Sequence, residues 1–277
     1  YSFVSPKSLD KIKLPADDKK RDYITLLNPL GEDTSVMRTT MMPSMLNVLY
    51  TNISRKVESA LAFECGHTFT PQEDLPIETN HLCVGMYGKD VDFFALKGAL
   101  ESILESVGFD NYEIIPETNN TTFHPGRCAT IIYNDIYIGT FGEVHPEVVD
   151  NYNLGQRVYL AELDLDLIFD NSDRTIIYNP LPKYPSTSRD IALLVKDEVI
   201  VKQIEDIIKA NGEDLVESYK LFDVYKGSQI AEGYKSIAYS ITYRSKDKTL
   251  TDDDVNKVHH NIIRELEEKL DAKLRSN

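Results

Sequence analysis

The sequence predicts an α+β protein of two domains, and three observations carry that reading. The final ninety or so residues run strand, helix, strand, strand, helix, strand. The residues before about 170 mix short β-rich runs with two amphipathic helices, and Pro180, Pro182 and Pro185 punctuate the stretch between.

The first domain is expected over residues 1–171. Residues 44–56 place Met45, Leu46, Leu49 and Ile53 at helical spacing, and residues 93–107 repeat the pattern with Phe93, Leu96, Leu100, Ile103 and Leu104. Residues 61–65, 82–87, 128–133, 136–141 and 158–163 read as strands, with Asn134-Asp135 as a two-residue hairpin turn. This pattern by itself gives only α+β. A linker is expected over residues 172–185. Tyr1-Ser2-Phe3-Val4 reads as the start of an interior strand, so the chain is expected to be an excised C-terminal piece of a longer subunit.

The second domain is expected over residues 186–277. Ile191, Leu193 and Val195 alternate with Ala192 and Leu194, the period-2 signature of a strand with one buried face. A helix follows with Val201, Ile204, Ile207 and Ile208 on one side, and Asn211-Gly212 is a pair suited to its C-terminal cap. Of the next two strands, the second sends Ile237, Tyr239, Ile241 and Tyr243 to one face and Ser236, Ala238, Ser240 and Thr242 to the other. Thr251 and Asp254 make a capping box before the stripe Val255, Val258, Ile262, Leu266 and Leu270, and a short strand near Lys273 completes a ferredoxin-like βαββαβ unit.

Two helices cover one face of such a sheet. The other face, with Ala192, Ser236, Ala238, Ser240 and Thr242 and with Tyr225 available for stacking, is either an ordinary solvated surface or a platform for unstacked single-stranded bases. The net charge of −15 speaks against a phosphate-driven nucleic-acid binder, but it is unevenly spread. Residues 181–277 hold 16 Lys and Arg against 18 Asp and Glu, leaving 14 against 27 on residues 1–180. A near-neutral terminal domain has to read bases while another part of the molecule grips phosphate.

No run of ~18 apolar residues marks a membrane span, and three cysteines fit a reducing compartment better than a disulfide framework. Cys65-Gly66-His67 and His81-Leu82-Cys83 are alternate-residue pairs that two paired strands could bring together as a zinc site, but alternate strand residues are as easily explained by the two faces of an ordinary sheet. Asp252-Asp253-Asp254 and Glu265 to Glu268 are read as a helix N-terminus and a solvated face, so no metal is expected. His124 and Arg127, flanking the Pro125-Gly126 turn, are expected to hydrogen-bond its backbone or face a partner, and no catalytic residue is assigned.

Several blocks together resemble one family. Ser188-Arg189-Asp190-Ile191-Ala192, Leu221-Phe222-Asp223-Val224-Tyr225-Lys226-Gly227, Glu232-Gly233-Tyr234-Lys235-Ser236 and Thr249-Leu250-Thr251-Asp252 are similar to the ferredoxin-fold anticodon-binding domain of bacterial-type phenylalanyl-tRNA synthetase β subunits. Upstream, Asn28-Pro29-Leu30-Gly31-Glu32, Asp92-Phe93-Phe94-Ala95-Leu96-Lys97-Gly98, Phe123-His124-Pro125-Gly126-Arg127, Gly139-Thr140-Phe141-Gly142-Glu143-Val144-His145-Pro146 and Ala161-Glu162-Leu163-Asp164 resemble the core domain of the same subunits.

The resemblance implies a class II synthetase-like antiparallel core that is catalytically inactive, and the glycine-rich third motif of active class II cores is indeed missing. It implies a cytoplasmic ligase, an α subunit as partner in an (αβ)2 tetramer, and tRNA(Phe) as the RNA. ATP and Mg2+ belong to the complete enzyme and neither to this chain. Carried onto matching positions, the anticodon contacts become Ala192 as the small residue that admits a base, Asp223 as acceptor, Tyr225 as stacking ring and Ser236 as hydroxyl; as a separate expectation, an anticodon face is open and flanked by Lys or Arg such as Lys226, Lys235 and Arg244. A small-molecule regulatory or protein-docking module on an inactive paralogue is the competing expectation.

Overall fold

The computed structural model describes residues 1–175, 178, 180–227 and 229–275. Two compact units divide the chain, Tyr1–Ile176 and Ile177–Asn277. The expected linker over residues 172–185 includes positions 176, 177 and 179, which lie outside the described residues.

In chain order the first unit contains β1 (Phe3–Val4), α1 (Lys7–Lys11), β2 (Val36–Met37), α2 (Met42–Ser54), β3 (Ala60–Thr70), β4 (Ile77–Tyr87), α3 (Phe93–Ser106), β5 (Glu113–Pro116), β6 (Phe123–Tyr133), β7 (Ile136–Val144), α4 (Pro146–Asn151), β8 (Tyr159–Asp164) and α5 (Leu165–Asp170). Six strands form one antiparallel sheet in the order β3-β4-β8-β7-β6-β5. Asn134 and Asp135 both take positive φ between β6 and β7, the primed turn that suits the twist of a two-residue hairpin.

Each sheet face has its own core. On one, Met42, Met45, Leu46 and Leu49 of α2 pack with Cys83, Cys128 and Leu160. On the other, Leu96, Leu100 and Leu104 of α3 pack with Leu82, Val84, Ile131, Phe141 and Ala161. Asp92 starts α3 by accepting the Ala95 N–H at 2.8 Å. The α3 side of β3 is left open, with Leu61 73% and Phe63 74% exposed beside the buried Val84 and Met86 of β4.

The second unit contains β9 (Thr187–Lys196), α6 (Val201–Asn211), β10 (Val216–Tyr225), β11 (Tyr234–Tyr243), α7 (Asp252–Leu270) and β12 (Lys273–Leu274). Its antiparallel sheet has the order β10-β11-β9-β12, and this is the ferredoxin-like arrangement the pattern predicts. Ile191, Leu193, Val195, Ile237, Tyr239, Ile241 and Tyr243 are all buried against Ile204, Ile207 and Ile208 of α6 and Val255, Val258, Ile262 and Leu266 of α7. Helix α6 stops at Asn211, but the left-handed residue that turns the chain is Glu213 (φ 50), not Gly212 (φ −73). Gly212 is instead a close-approach glycine, since a Cβ there would lie 2.5 Å from the Val216 Cγ2. Among the described residues no helix is long and apolar enough to cross a membrane.

The capping box of α7 forms as expected. Asp254 N–H donates to Thr251 Oγ1 (3.3 Å), and Thr251 N–H donates back to Asp254 Oδ2 (3.1 Å). Hydrogen bonds from Lys248 first, and then from Thr251, hold the Asp254 carboxyl down at about 2. A depressed carboxyl stabilises the fold fully above its unfolded value of about 3.9 and loses that contribution as pH falls through its folded value. The first turn of α7 is therefore expected to fray between about pH 4 and pH 2, read as a loss of amide protection at residues 254–256. Thr251→Ala should weaken the same turn at neutral pH by about 1 kcal/mol.

Candidate nucleic-acid interface

The face of the second sheet away from α6 and α7 is built in rows. The register places Ala192, Ala238 and Asp223 opposite one another on three adjacent strands, and Leu194, Ser236 and Tyr225 in the next row. Successive rows on one face lie about 7 Å apart and neighbouring strands about 4.8 Å apart, so the four expected contact residues share one small platform.

A bulge makes this possible. Between Leu221, which pairs with the core residue Tyr239, and Asp223, which pairs with Ala238, the register shifts by one residue at Phe222. Without that extra residue, strict alternation would turn Asp223 and Tyr225 toward the helices with Leu221. With it, both reach the open face, and Phe222 is left 54% exposed on the edge strand. The Tyr225 ring lies against Gly227, where a Cβ would come within 2.5 Å of the ring hydroxyl, so the glycine supplies the space the ring occupies.

The four side chains differ in access. Asp223 is exposed, Ala192 and Tyr225 are half-buried, and Ser236 is only 4% exposed. Ser236 is therefore floor rather than rim, and its hydroxyl accepts a 3.5 Å hydrogen bond from Arg275. The Arg275 backbone N–H donates to Ala192 O (2.9 Å), and Lys273 stands opposite Leu194.

The cationic groups on this face differ from those the sequence pointed to. Lys235 pairs with Val195, which puts it on the helix side of the sheet, where its ammonium donates to Asp197 O (2.9 Å). Lys226 is ion-paired with Asp197 Oδ2, and Arg244 is held by Glu217 at 2.8 Å and by Tyr184 O. Lys220, opposite Ser240, and Lys273 are exposed on the open face, and Arg275 joins them from beyond β12. The available sequence signal for these was parity: Lys220 falls out of phase with the core residues Tyr219 and Leu221, and Lys273 with the register of Leu274 on Leu193. The result is a small-residue floor with one stacking ring, one carboxylate acceptor and cationic donors at its margins, suited to a planar group stacked on Tyr225 and hydrogen-bonded at its edge.

The other candidates do not converge into a site. Cys65 faces Leu82 across the β3–β4 ladder while Cys83 faces Glu64, so the two thiols lie on opposite sides of the sheet. Burial first, and then the charge of Glu162, push the Cys83 thiol well up. His124 Nδ1 accepts from the Gly126 N–H (3.0 Å), and Arg127 pairs with the buried Glu143 at 2.7 Å, so both serve the irregular stretch of β6 between Phe123 and Cys128, where its register with β7 shifts.

A polar cluster the sequence did not reveal lies in the first unit. Buried Glu162 on β8 accepts from Thr40 Oγ1 (2.8 Å), from the Met41 N–H and from Lys20 Nζ (3.4 Å). Burial pushes this carboxyl up, but Lys20, His81, the Met41 N–H and Thr40 together outweigh it and hold it below the ordinary range. Its partners are one backbone N–H, one hydroxyl and one ammonium, all from the segment that leads into α2, and a lone Glu within an otherwise apolar strand run was the signal that could have found it.

The fold defines the class: an α+β chain with an antiparallel-sheet unit followed by a ferredoxin-like unit. Residues 182–275 match the family model described as ferredoxin-fold anticodon binding domain, and residues 1–165 match that of the phenylalanyl tRNA synthetase beta chain CLM domain. The chain belongs to the phenylalanine-tRNA ligase beta subunit family. It is similar to the proteins of that name from Clostridium tetani (49% identical) and Clostridium acetobutylicum (46%), each alignment covering 99% of this chain and 35% of the relative. The Geobacter metallireducens protein is 36% identical over 99% of this chain and 36% of its own length. The chain thus spans about a third of the length of these curated relatives.

Proposed function

We propose that this chain is a noncatalytic part of a cytoplasmic phenylalanine-tRNA ligase β subunit that supports ATP-dependent charging of tRNA(Phe). Residues 1–171 form a class II synthetase-like core that packs on the catalytic α subunit of an (αβ)2 tetramer, residues 172–185 link, and residues 186–277 receive the anticodon. The observation that carries the reading is the bulge-set platform, where Ala192, Asp223, Tyr225 and Ser236 meet in two adjacent rows.

Each residue has a physical task. Ala192 keeps the floor low, Tyr225 stacks a base, Asp223 accepts from the base edge, and Ser236 with Arg275 offers a donor at the floor. The regulatory-module reading has less support, because the face is an open sheet and residues 182–275 match an anticodon-binding model. For the α subunit, the exposed Leu61 and Phe63 on β3 with Phe94 (72% exposed) at the start of α3 on one face of the sheet, and Val48 and Tyr50 of α2 on the other, supply apolar docking surface.

ATP and Mg2+ are assigned to the complete enzyme and not to this chain.

Deleting residues 186–277 from the complete αβ enzyme is expected to abolish charging of tRNA(Phe) while leaving adenylate formation intact. Unchanged charging would overturn the anticodon assignment, and loss of both activities would move the role to assembly.

A further inference from the structure

At the loop end of the platform, one residue, through its backbone and its carboxylate, ties down both ends of the connection between β10 and β11. The Asp197 N–H donates to Gly233 O (2.9 Å), the Asp197 carbonyl accepts from Lys235 Nζ (2.9 Å), and its carboxylate Oδ2 holds Lys226 Nζ at 2.5 Å. Lys226 follows Tyr225 directly and precedes Gly227, on which the ring rests. Asp197, Lys226, Gly233 and Tyr234 also border a cleft there, and Tyr234 continues the open face one row beyond Tyr225.

The clasp is incompletely satisfied. Among the described residues Asp197 Oδ1 is buried and has no hydrogen-bond partner, while the Asp197 side chain as a whole keeps 34% of its surface exposed. Lys226, by contrast, keeps 65% of its side chain exposed. The ion pair is therefore poised for exchange: both of its members reach solvent, and an incoming phosphate offers Lys226 an equivalent charged acceptor.

We infer that Asp197 is an internal competitor for RNA phosphate, occupying Lys226 until a nucleic-acid backbone replaces it. The inference rests on the open face being the RNA site. Asp197 thereby suppresses binding by RNAs that reach the loop without a base to stack on Tyr225, and it acts on discrimination rather than as a base contact. A positioning role through fold alone predicts something different, because removing either member of a merely structural clasp would loosen the same loop.

The test measures binding of tRNA(Phe) and of a noncognate tRNA to the complete enzyme across a salt series, with Asp197→Asn and Lys226→Met. Under this inference the two substitutions act in opposite directions. Asp197→Asn tightens both RNAs by roughly three- to fivefold and narrows the gap between them, whereas Lys226→Met weakens both and flattens the dependence of log Kd on log salt by about one unit. Weakened binding in both variants would overturn the inference and leave a structural clasp. Tyr225→Ala run in parallel separates the layers: if it leaves tRNA(Phe) binding unchanged the platform reading fails and this inference with it, and if it weakens binding while Asp197→Asn does not tighten it, only the inference falls.

Discussion

Replacing Tyr225 by Ala is expected to raise the KM of the complete enzyme for tRNA(Phe) by roughly 10- to 100-fold, with adenylate formation unchanged. The estimate follows from the about 1–3 kcal/mol that alanine substitution removes from a stacked base. The fold should tolerate the change. Tyr225 is half-buried at the end of an edge strand, outside the cluster formed by Ile191, Leu193, Tyr239 and their neighbours, and its removal opens no internal cavity. Phe at the same position keeps the ring and should restore most of the affinity, since stacking uses the π face rather than the hydroxyl. Aminoacylation kinetics at saturating ATP and phenylalanine check both variants, and a Tyr225→Ala enzyme with wild-type KM would remove the stacking role.

What the sequence made legible and what it hid divide along one line: local periodicity was readable, and register was not. The alternation of Ile191, Leu193 and Val195, the helical stripe from Val255 to Leu266 and the Thr251–Asp254 box are signals within one element, and each appears where its spacing places it. The platform depends on a shift between elements. Nothing in Leu221-Phe222-Asp223-Val224-Tyr225 marks Phe222 as the extra residue, and plain alternation would turn Tyr225 toward the core. The resemblance pointed to Asp223 and Tyr225, and the bulge puts both on the open face.

The same limit explains the cations. Lys235 looks adjacent to the site because it neighbours Ser236 in sequence, yet adjacent strand residues point to opposite faces, so Lys235 stands behind the sheet. Arg275 lies 39 residues from Ser236 and is brought to it only by β12 pairing with β9. Short, two-residue strands such as β1, β2 and β12 carry too little pattern to be read alone; their partners define them.

Glu162→Ala should destabilise the first unit by about 3–5 kcal/mol, because it strips the partner from a buried cluster and leaves the Met41 N–H, the Thr40 hydroxyl and the Lys20 ammonium without their shared acceptor. Those three groups open α2 and anchor the segment before it, so the loss should spread to the packing of Met42, Met45 and Leu46 against the sheet. Glu162→Gln keeps the shape and one acceptor oxygen, and its loss should be smaller. The pH dependence has a definite sign. The folded carboxyl lies below its ordinary value, so its contribution is complete above the unfolded value of about 4.3 and disappears as pH falls through the folded one. Thermal or urea melts of the first unit should therefore show wild type and Glu162→Gln converging below about pH 4 and separating above it. Parallel curves from about pH 3 to pH 7 would mean that the carboxylate contributes shape alone.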